Sequence, residues 1–295
     1  MFSSFVHFET LRARVASHPN TPVFKLPKAG ALGREWVDVS YTQFQADIER
    51  MAKVWSTKLS THTPRRSVVG IWCVFFSSEA ILAHGCVMSR LRGYTYADVI
   101  TIYAISRAGF IPQMFGFELP NTRIVFELLS KYDGKAIVHD PAKTAPLLAS
   151  KTSLPCHIAI DYLSVADTDV VDMELPELPE AKPEDFTFIY HSSGSVSGIP
   201  KVVPTTNKWL STIEKKSGPA FCIGDFETQD VYIWTYVNQS RHPLSFHNSA
   251  FTASPSLIPW RYAVCPLSLL RSCDADNICS PSAHPTPRRL SRPAH

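Results

Sequence analysis

The residues with the clearest chemical potential form one short segment, residues 191–201, with the sequence HSSGSVSGIPK. Its four serine hydroxyls and its backbone N–H groups can donate hydrogen bonds to phosphate oxygens. Gly194 and Gly198 let the backbone approach a phosphate closely and adopt positive φ angles. Lys201 adds a mobile positive charge, and Pro200 restricts the backbone just before it. This composition predicts a loop that binds a triphosphate.

The segment lacks the Walker A pattern, in which Gly, Lys and Ser or Thr follow one another and open a helix. Here Ile199 and Pro200 separate Gly198 from Lys201. A flexible Ser/Gly linker is the alternative interpretation, since such linkers are common. We favour the phosphate loop because an apolar stretch, residues 186–190 (FTFIY), leads directly into it and predicts a strand.

Upstream of this loop, short apolar stretches alternate with amphipathic ones. Residues 23–26 and 36–39 predict a hairpin, and residues 41–59 predict a helix capped by Ser40 or Thr42. Strands followed by helices predict an α/β fold, with a parallel sheet covered by helices on both faces. The other predicted strands are residues 68–72, 110–115, 136–138, 157–160 and 186–190, and the other predicted helices are residues 97–107, 122–131, 142–150 and 207–216.

The composition is that of an ordinary globular protein, with 45% hydrophobic and 19% charged residues. The net charge of +3 is small, so we expect neither nucleic acid nor a membrane as a partner. Seven scattered cysteines without a CxxC pair predict reduced thiols rather than disulfides or a metal site. The N-terminus carries no secretory pattern, so a cytoplasmic location is the default expectation. The acidic, Pro-rich residues 167–185 predict a surface connection.

Residues 188–204, FIYHSSGSVSGIPKVVP, resemble the Ser/Thr/Gly-rich signature of the adenylate-forming (AMP-binding) superfamily. That superfamily includes acyl-CoA synthetases, luciferases and the adenylation domains of nonribosomal peptide synthetases. The His before Ser-Ser-Gly looks most like fungal synthetase-like carboxylic acid reductases. Residues 97–115 (ADVITIYAISRAGFIPQMF) and 224–234 (GDFETQDVYIW) are similar to segments that flank the loop in the family. The resemblance covers about residues 20–235.

This resemblance implies ATP-dependent activation of a carboxylic acid substrate. A carboxylate attacks the α-phosphate to give an acyl-adenylate and pyrophosphate, with Mg²⁺ offsetting phosphate charge. The acyl group then passes to a thiol, either CoA or a phosphopantetheine arm on a carrier-protein domain. Lys201 and His191 are the implied catalytic residues, and a structural role for His191 at the turn remains the alternative. The residues implied to bind the β- and γ-phosphates are Ser192, Ser193, Gly194, Ser195, Ser197, Gly198 and Lys201.

Several features depart from the family. Three residues separate the glycines of the loop, where the common signature has two. Residues 73–93 interrupt the family pattern, and residues 241–295 contain no Gly, Lys or Glu. We therefore predict a partial adenylation subdomain over residues 1–240 with a non-family insertion at 73–93, and a disordered non-family tail at 241–295. Translated intron sequence is our hypothesis for residues 73–93, and out-of-frame or intron translation is our hypothesis for residues 241–295.

The family's adenine pocket, carboxylate-binding residues, ribose-binding Asp and second catalytic Lys all follow the loop in sequence. No equivalent of them is recognisable after Lys201. The alternative expectation is therefore a truncated, catalytically inactive chain that at most binds nucleotide phosphates.

Overall fold

The computed structural model describes residues 4–27, 35–72, 95–116, 119, 121–150, 152–178, 180–192 and 200–220. The predicted insertion at residues 73–93 and the predicted tail at 241–295 lie outside these ranges. The described helices are α1 (Val6–Ser17), α2 (Tyr41–Ser60), α3 (Tyr96–Arg107), α4 (Thr122–Ser130), α5 (Thr144–Ala149) and α6 (Asn207–Ala220). The described strands are β1 (Pro22–Pro27), β2 (Trp36–Ser40), β3 (Val68–Trp72), β4 (Ile111–Met114), β5 (Ala136–His139), β6 (Cys156–Ile158), β7 (Phe186–Ser192) and β8 (Lys201–Thr206).

Strands β3 to β8 form one six-stranded sheet in the order β6-β5-β3-β4-β7-β8. All neighbouring pairs are parallel except β7 and β8, which are antiparallel. The predicted α/β fold with helices on a parallel sheet is confirmed, and β8 is an antiparallel strand that the sequence did not predict. Pro204 lies within β8, and a proline is tolerated there because β8 is the last strand on its side of the described sheet.

The two faces of the sheet have separate cores, because successive side chains of a strand point to opposite sides. Val69 and Ile71 of β3 join the core that α2 and α3 cover. Val68 and Trp72 join the core that α4 covers. The strand is completely buried, which explains why its sequence is a continuous apolar run without alternation.

Side chains at the helix N-termini fix where the helices begin. Ser40 accepts a hydrogen bond from the backbone N–H of Gln43 at the start of α2. Thr95 and Asp98 form a reciprocal capping box at the start of α3. At the other end of α3, Gly109 has φ +93°, a conformation that favours glycine. The predicted start of α2 at residue 41 is therefore confirmed, with Ser40 as its cap.

Helix α1 was not predicted from the sequence. Its buried face mixes apolar side chains with His7, Thr10 and Arg14, so it lacks a clean amphipathic pattern. Its first residue is held from far along the chain, since the Asn207 side-chain oxygen accepts from the Val6 N–H at 2.9 Å. A tertiary contact thus supplies the cap that the local sequence lacks.

The acidic, Pro-rich connection before β7 is packed more closely than its composition indicates. Val170 and Ala181 are buried, with exposed fractions of 4% and 3%. Cationic side chains of the α/β layers hold the connection at five points: Arg50 to Asp167, Lys53 to the Val170 carbonyl, Arg107 to the Pro176 carbonyl, Arg65 to the Glu177 carbonyl and Arg66 to Asp185.

In the described part of the chain, no helix is both long and apolar enough to cross a membrane.

Candidate functional site

Strands β7 and β8 bring the two ends of the Ser/Gly segment together. In their antiparallel register, Ser192 lies opposite Lys201 and His191 opposite Val202. Because β7 runs parallel to β4, and β4 to β3 and β5 through the sheet, this end of the hairpin lies at the carboxyl edge of the parallel strands. In open α/β sheets, ligands bind in the crevice outside that edge.

The described part of the predicted site is therefore its base. Lys201 is exposed at the first position of β8. Ser192 is described through its backbone pairing with Lys201. Ser193, Gly194, Ser195, Ser197 and Gly198 lie outside the described residues, so their roles stay predictions.

His191 is the best defined of the predicted site residues. Its ring nitrogen Nδ1 lies 2.7 Å from the carbonyl oxygen of Met114, and its Nε2 lies 3.2 Å from the Gln113 side-chain nitrogen. The imidazole also stacks on the Phe115 ring, with centroids 4.8 Å apart and planes at 26°. All three partners belong to the end of β4 or follow it directly.

These contacts determine the protonation of the His191 ring. A carbonyl oxygen can only accept, so Nδ1 carries the proton that Met114 receives. Nε2 is then the acceptor for an N–H of Gln113. Burial lowers the pKa of His191, with a nearby Lys131 acting in the same direction and the Met114 hydrogen bond opposing it. Both ring nitrogens are engaged within the protein, which favours the structural interpretation of His191 over a catalytic one.

The Phe115 ring has its position because β3 provides a glycine beneath it. A Cβ on Gly70 would lie 3.0 Å from Cε2 of Phe115, closer than ordinary van der Waals contact allows. The absence of a side chain at Gly70 therefore lets the Phe115 ring lie against β3. The same ring also stacks on His191.

Other residues with polar groups gather at the same edge of the sheet. Trp72 and His139 end β3 and β5 and lie opposite each other in register, and both are buried. The Lys143 ammonium lies 4.7 Å from the centre of the Trp72 ring, a cation–π arrangement. Sequence analysis did not include these residues in the site, because their proximity depends on the parallel pairing.

Gln113 was likewise missed, although one signal for it exists in the sequence. It is the one polar residue in β4, IPQM, and its side chain is completely buried. A polar residue inside an apolar strand needs hydrogen-bond partners, and the partners here are the Leu128 carbonyl and the His191 ring.

The described residues contain no group of three or more His, Cys, Asp or Glu side chains that could hold a metal ion. A cleft of about 270 Å³ lies at the opposite edge of the sheet, where Val68, Ile111 and Phe186 begin their strands. It is remote from His191 and Lys201, so it does not contribute to the candidate site.

Known proteins resemble this chain in sequence and in fold. No family model matches the chain. The chain is 31% identical over 234 residues to the AMP-binding domain-containing enzyme iboA of Amanita muscaria, a match that covers 77% of the chain and 41% of that relative. The chain therefore spans less than half the length of the curated relative.

Solved structures share the fold at low sequence identity. A fatty acyl-adenylate ligase from L. pneumophila, in complex with acyl adenylate and pyrophosphate, matches 76% of the chain and 34% of its own length at 14% identity and a TM-score of 0.50. VinN matches with 76% and 51% coverage, 13% identity and a TM-score of 0.52. The McyG A-PCP structure with phenylalanyl-adenylate matches with 75% and 31% coverage, 12% identity and a TM-score of 0.51. The chain is thus similar in sequence to an AMP-binding domain-containing enzyme and shares its fold with adenylate-forming enzymes, of each of which it spans a part.

Proposed function

We propose that this chain binds the triphosphate of ATP at the end of the β7–β8 hairpin, as one part of an ATP-dependent carboxylic acid activation. The observation that carries the proposal is the pairing of Ser192 with Lys201 at the carboxyl edge of the parallel strands. It supports a loop whose two ends are fixed side by side, with an exposed cation at one of them. The relatives solved with acyl adenylates supply the reaction class.

In this proposal, Lys201 neutralises charge on the β- and γ-phosphates, because it is exposed at the end of a strand where a bound polyanion can reach its ammonium group. The serine hydroxyls and backbone N–H groups of residues 192–198 donate to the phosphate oxygens. The chemistry of this donor set fits a polyanion. When bound, ATP supplies the electrophilic α-phosphate and the pyrophosphate leaving group. Mg²⁺ would be held largely by the phosphates themselves.

The substrate and the acceptor follow from the same reaction class. A carboxylic acid would be the second substrate, and the thiol acceptor would be CoA or the phosphopantetheine arm of a carrier-protein domain. We further propose a likeness to fungal synthetase-like carboxylic acid reductases, supported by His191 before the Ser-Ser-Gly sequence, and a cytoplasmic location. Residues 1–240 remain our proposed adenylation subdomain.

A second candidate is that residues 1–295 bind nucleotide phosphates without by themselves completing the reaction. The specific observation that favours it is the absence of a recognisable ribose-binding Asp or second catalytic Lys after Lys201 in the sequence. A loop that contacts phosphates without adenine or ribose contacts should bind inorganic tripolyphosphate about as tightly as ATP.

Isothermal titration calorimetry with Mg²⁺–ATP, tripolyphosphate and AMP tests the phosphate site. We expect ATP and tripolyphosphate to bind and AMP to bind at least about tenfold more weakly, since AMP lacks the phosphates that Lys201 contacts. Lys201→Ala should weaken tripolyphosphate binding about tenfold, the effect of one charge-assisted hydrogen bond. Lys208→Ala is the matched control, because Lys208 is also exposed but lies on α6. Equal losses in both variants would contradict a site at Lys201.

Pyrophosphate exchange into ATP then separates the two candidates. For a chain that only binds phosphates, we expect no carboxylate-dependent exchange above background across a panel of carboxylic acids. Robust exchange that Lys201→Ala abolishes would contradict the second candidate, binding of phosphates alone, and establish carboxylate activation.

A further inference from the structure

Gln113 connects three elements at the base of the candidate site. Its side-chain nitrogen lies 3.1 Å from the Leu128 carbonyl oxygen in the last turn of α4 and 3.2 Å from His191 Nε2 on β7. A carbonyl in the last turn of a helix has no partner within the helix, so Gln113 supplies one. The residue itself is on β4 and completely buried.

The hydrogen-bond acceptor on Leu128 fixes which end of the Gln113 amide faces it. Rotating the amide by half a turn would place its oxygen against the Leu128 carbonyl, with no hydrogen between two acceptors. The nitrogen must therefore face Leu128, and its second hydrogen points to His191. The Gln113 oxygen is buried without a hydrogen-bond partner among the described residues, so the side chain acts here as a donor alone.

In this series of hydrogen bonds, each partner fixes which atom of the next group must donate and which must accept. The Leu128 carbonyl sets the Gln113 amide, the amide requires a lone pair on His191 Nε2, and the Met114 carbonyl requires a proton on Nδ1. An imidazolium would direct an N–H at the amide N–H₂ group. His191 is next to Ser192, which pairs with Lys201, so the position of this ring sets the position of the hairpin end.

We propose that Gln113 is a positioning residue, which holds His191 as the neutral Nδ1–H tautomer and thereby fixes the end of the β7–β8 hairpin. It does not touch substrate or nucleotide. The effect of Gln113 on phosphate binding rests on the proposed function, whereas its hydrogen bond to His191 does not.

Nitrogen NMR of the histidine rings tests the first step on the full chain. The His191 signals, assigned by their loss in His191→Phe, should show a protonated Nδ1 and an unprotonated Nε2 at pH 7. Gln113→Glu replaces the donor by an acceptor of nearly the same shape and should move a proton onto Nε2. A wild-type ring with a protonated Nε2, or a tautomer that Gln113→Glu leaves unchanged, would overturn the proposal.

Amide hydrogen exchange tests the second step, with Gln113→Met as an apolar variant of similar length. Exchange over residues 190–192 and 201–203 should accelerate about tenfold, the factor that corresponds to one net hydrogen bond. Thr187→Val is the matched control. Thr187 is buried on β7 and bonds to Thr205 at the other end of the hairpin, so this variant should change exchange at residues 190–192 and 201–203 less than twofold. Equal acceleration in both variants would refute a specific role for Gln113.

Tripolyphosphate titration of the same variants separates this inference from the proposed function. Gln113→Met should bind tripolyphosphate about fivefold more weakly than Thr187→Val, because only the former releases the hairpin end. If the wild-type chain binds no tripolyphosphate, the proposed function fails, and the tautomer and exchange measurements still decide the role of Gln113. If Gln113→Met does not fold, Gln113→Leu, which also removes the hydrogen bonds to Leu128 and His191, takes its place in the exchange experiment.

Discussion

Acidification should destabilise the protein through one histidine at the centre of an aromatic cluster. His7 on α1 is 2% exposed, and the rings of Phe5, Phe8, Tyr103 and Phe188 lie within 5.8 Å of its own ring. Its Nε2 has the Ser106 hydroxyl at 3.1 Å, and its Nδ1 has no hydrogen-bond partner among the described residues. An imidazolium here would be a buried charge with no counterion among the residues that the structure describes.

The structure gives the size and the sign of the effect. Burial lowers the pKa of His7 from 6.5 to about 3. In the unfolded chain His7 therefore binds a proton below about pH 6.5, whereas in the folded chain it does so only near pH 3. The contribution of neutral His7 to the free energy of unfolding is therefore fully present above pH 6.5 and decreases as the pH falls towards 3. At 1.36 kcal/mol per pH unit, the loss between pH 7 and pH 5 is about 2 kcal/mol.

Urea unfolding followed by tryptophan fluorescence measures the pH dependence of the free energy of unfolding, with the buried Trp55 and Trp72 as reporters. The matched variant is His7→Phe, which keeps a ring among the aromatic side chains and removes the titration. We expect the free energy of unfolding of the wild type to fall by about 2 kcal/mol more than that of the variant between pH 7 and pH 5. Parallel pH dependence in the two proteins would show that the folded state accommodates the proton, and would refute the reasoning.

Two further predictions concern stability and use the same unfolding assay at pH 7. Asp47 is 3% exposed and accepts from the Arg50 guanidinium at 2.6 Å, while Arg50 keeps Asp167 as a second partner. Asp47→Asn should therefore lower the free energy of unfolding by about 2 kcal/mol, as expected for the loss of one hydrogen bond between charged groups; a loss below about 1 kcal/mol would contradict this. Gly109 has φ +93°, and a Cβ there would lie 2.6 Å from the Arg65 side chain, so Gly109→Ala should cost about 1–2 kcal/mol. Gly116→Ala is its control, since a Cβ at Gly116 meets no atom within 4 Å and should change stability by less than about 0.5 kcal/mol; equal effects of the two alanines would contradict the strain at Gly109.

Local patterns in the sequence predicted the elements that depend on local causes. Strand β3 at residues 68–72 matches its prediction residue for residue, because a short continuous apolar run predicts a strand that is buried on both faces. Helix α2 begins at residue 41 as expected from its Ser40 cap. The predicted strand at 110–115 is shorter in the structure, Ile111–Met114, as expected where strand ends depend on pairing with neighbours.

The signature at residues 188–204 carries the resemblance to the adenylate-forming superfamily, because the predicted phosphate loop uses particular residue types in consecutive positions. Which of those residues act, and on what, depends on contacts across the sheet. The base of the loop acquires its geometry from the antiparallel strand β8. Pro204 in β8 argues against a strand at the level of sequence, and it is tolerated because β8 is the last strand on its side of the described sheet.

Only the tertiary structure decided the features that join distant parts of the chain. Asn207 caps α1 across 201 residues of sequence, and Gln113 joins α4 to His191 across 78 residues. Neither contact leaves a local pattern, because a hydrogen bond constrains the positions of two groups in space and not their separation along the chain. The sequence by itself thus predicted phosphate chemistry for residues 191–201, and the fold determined that both ring nitrogens of His191, at the base of this loop, have partners on β4.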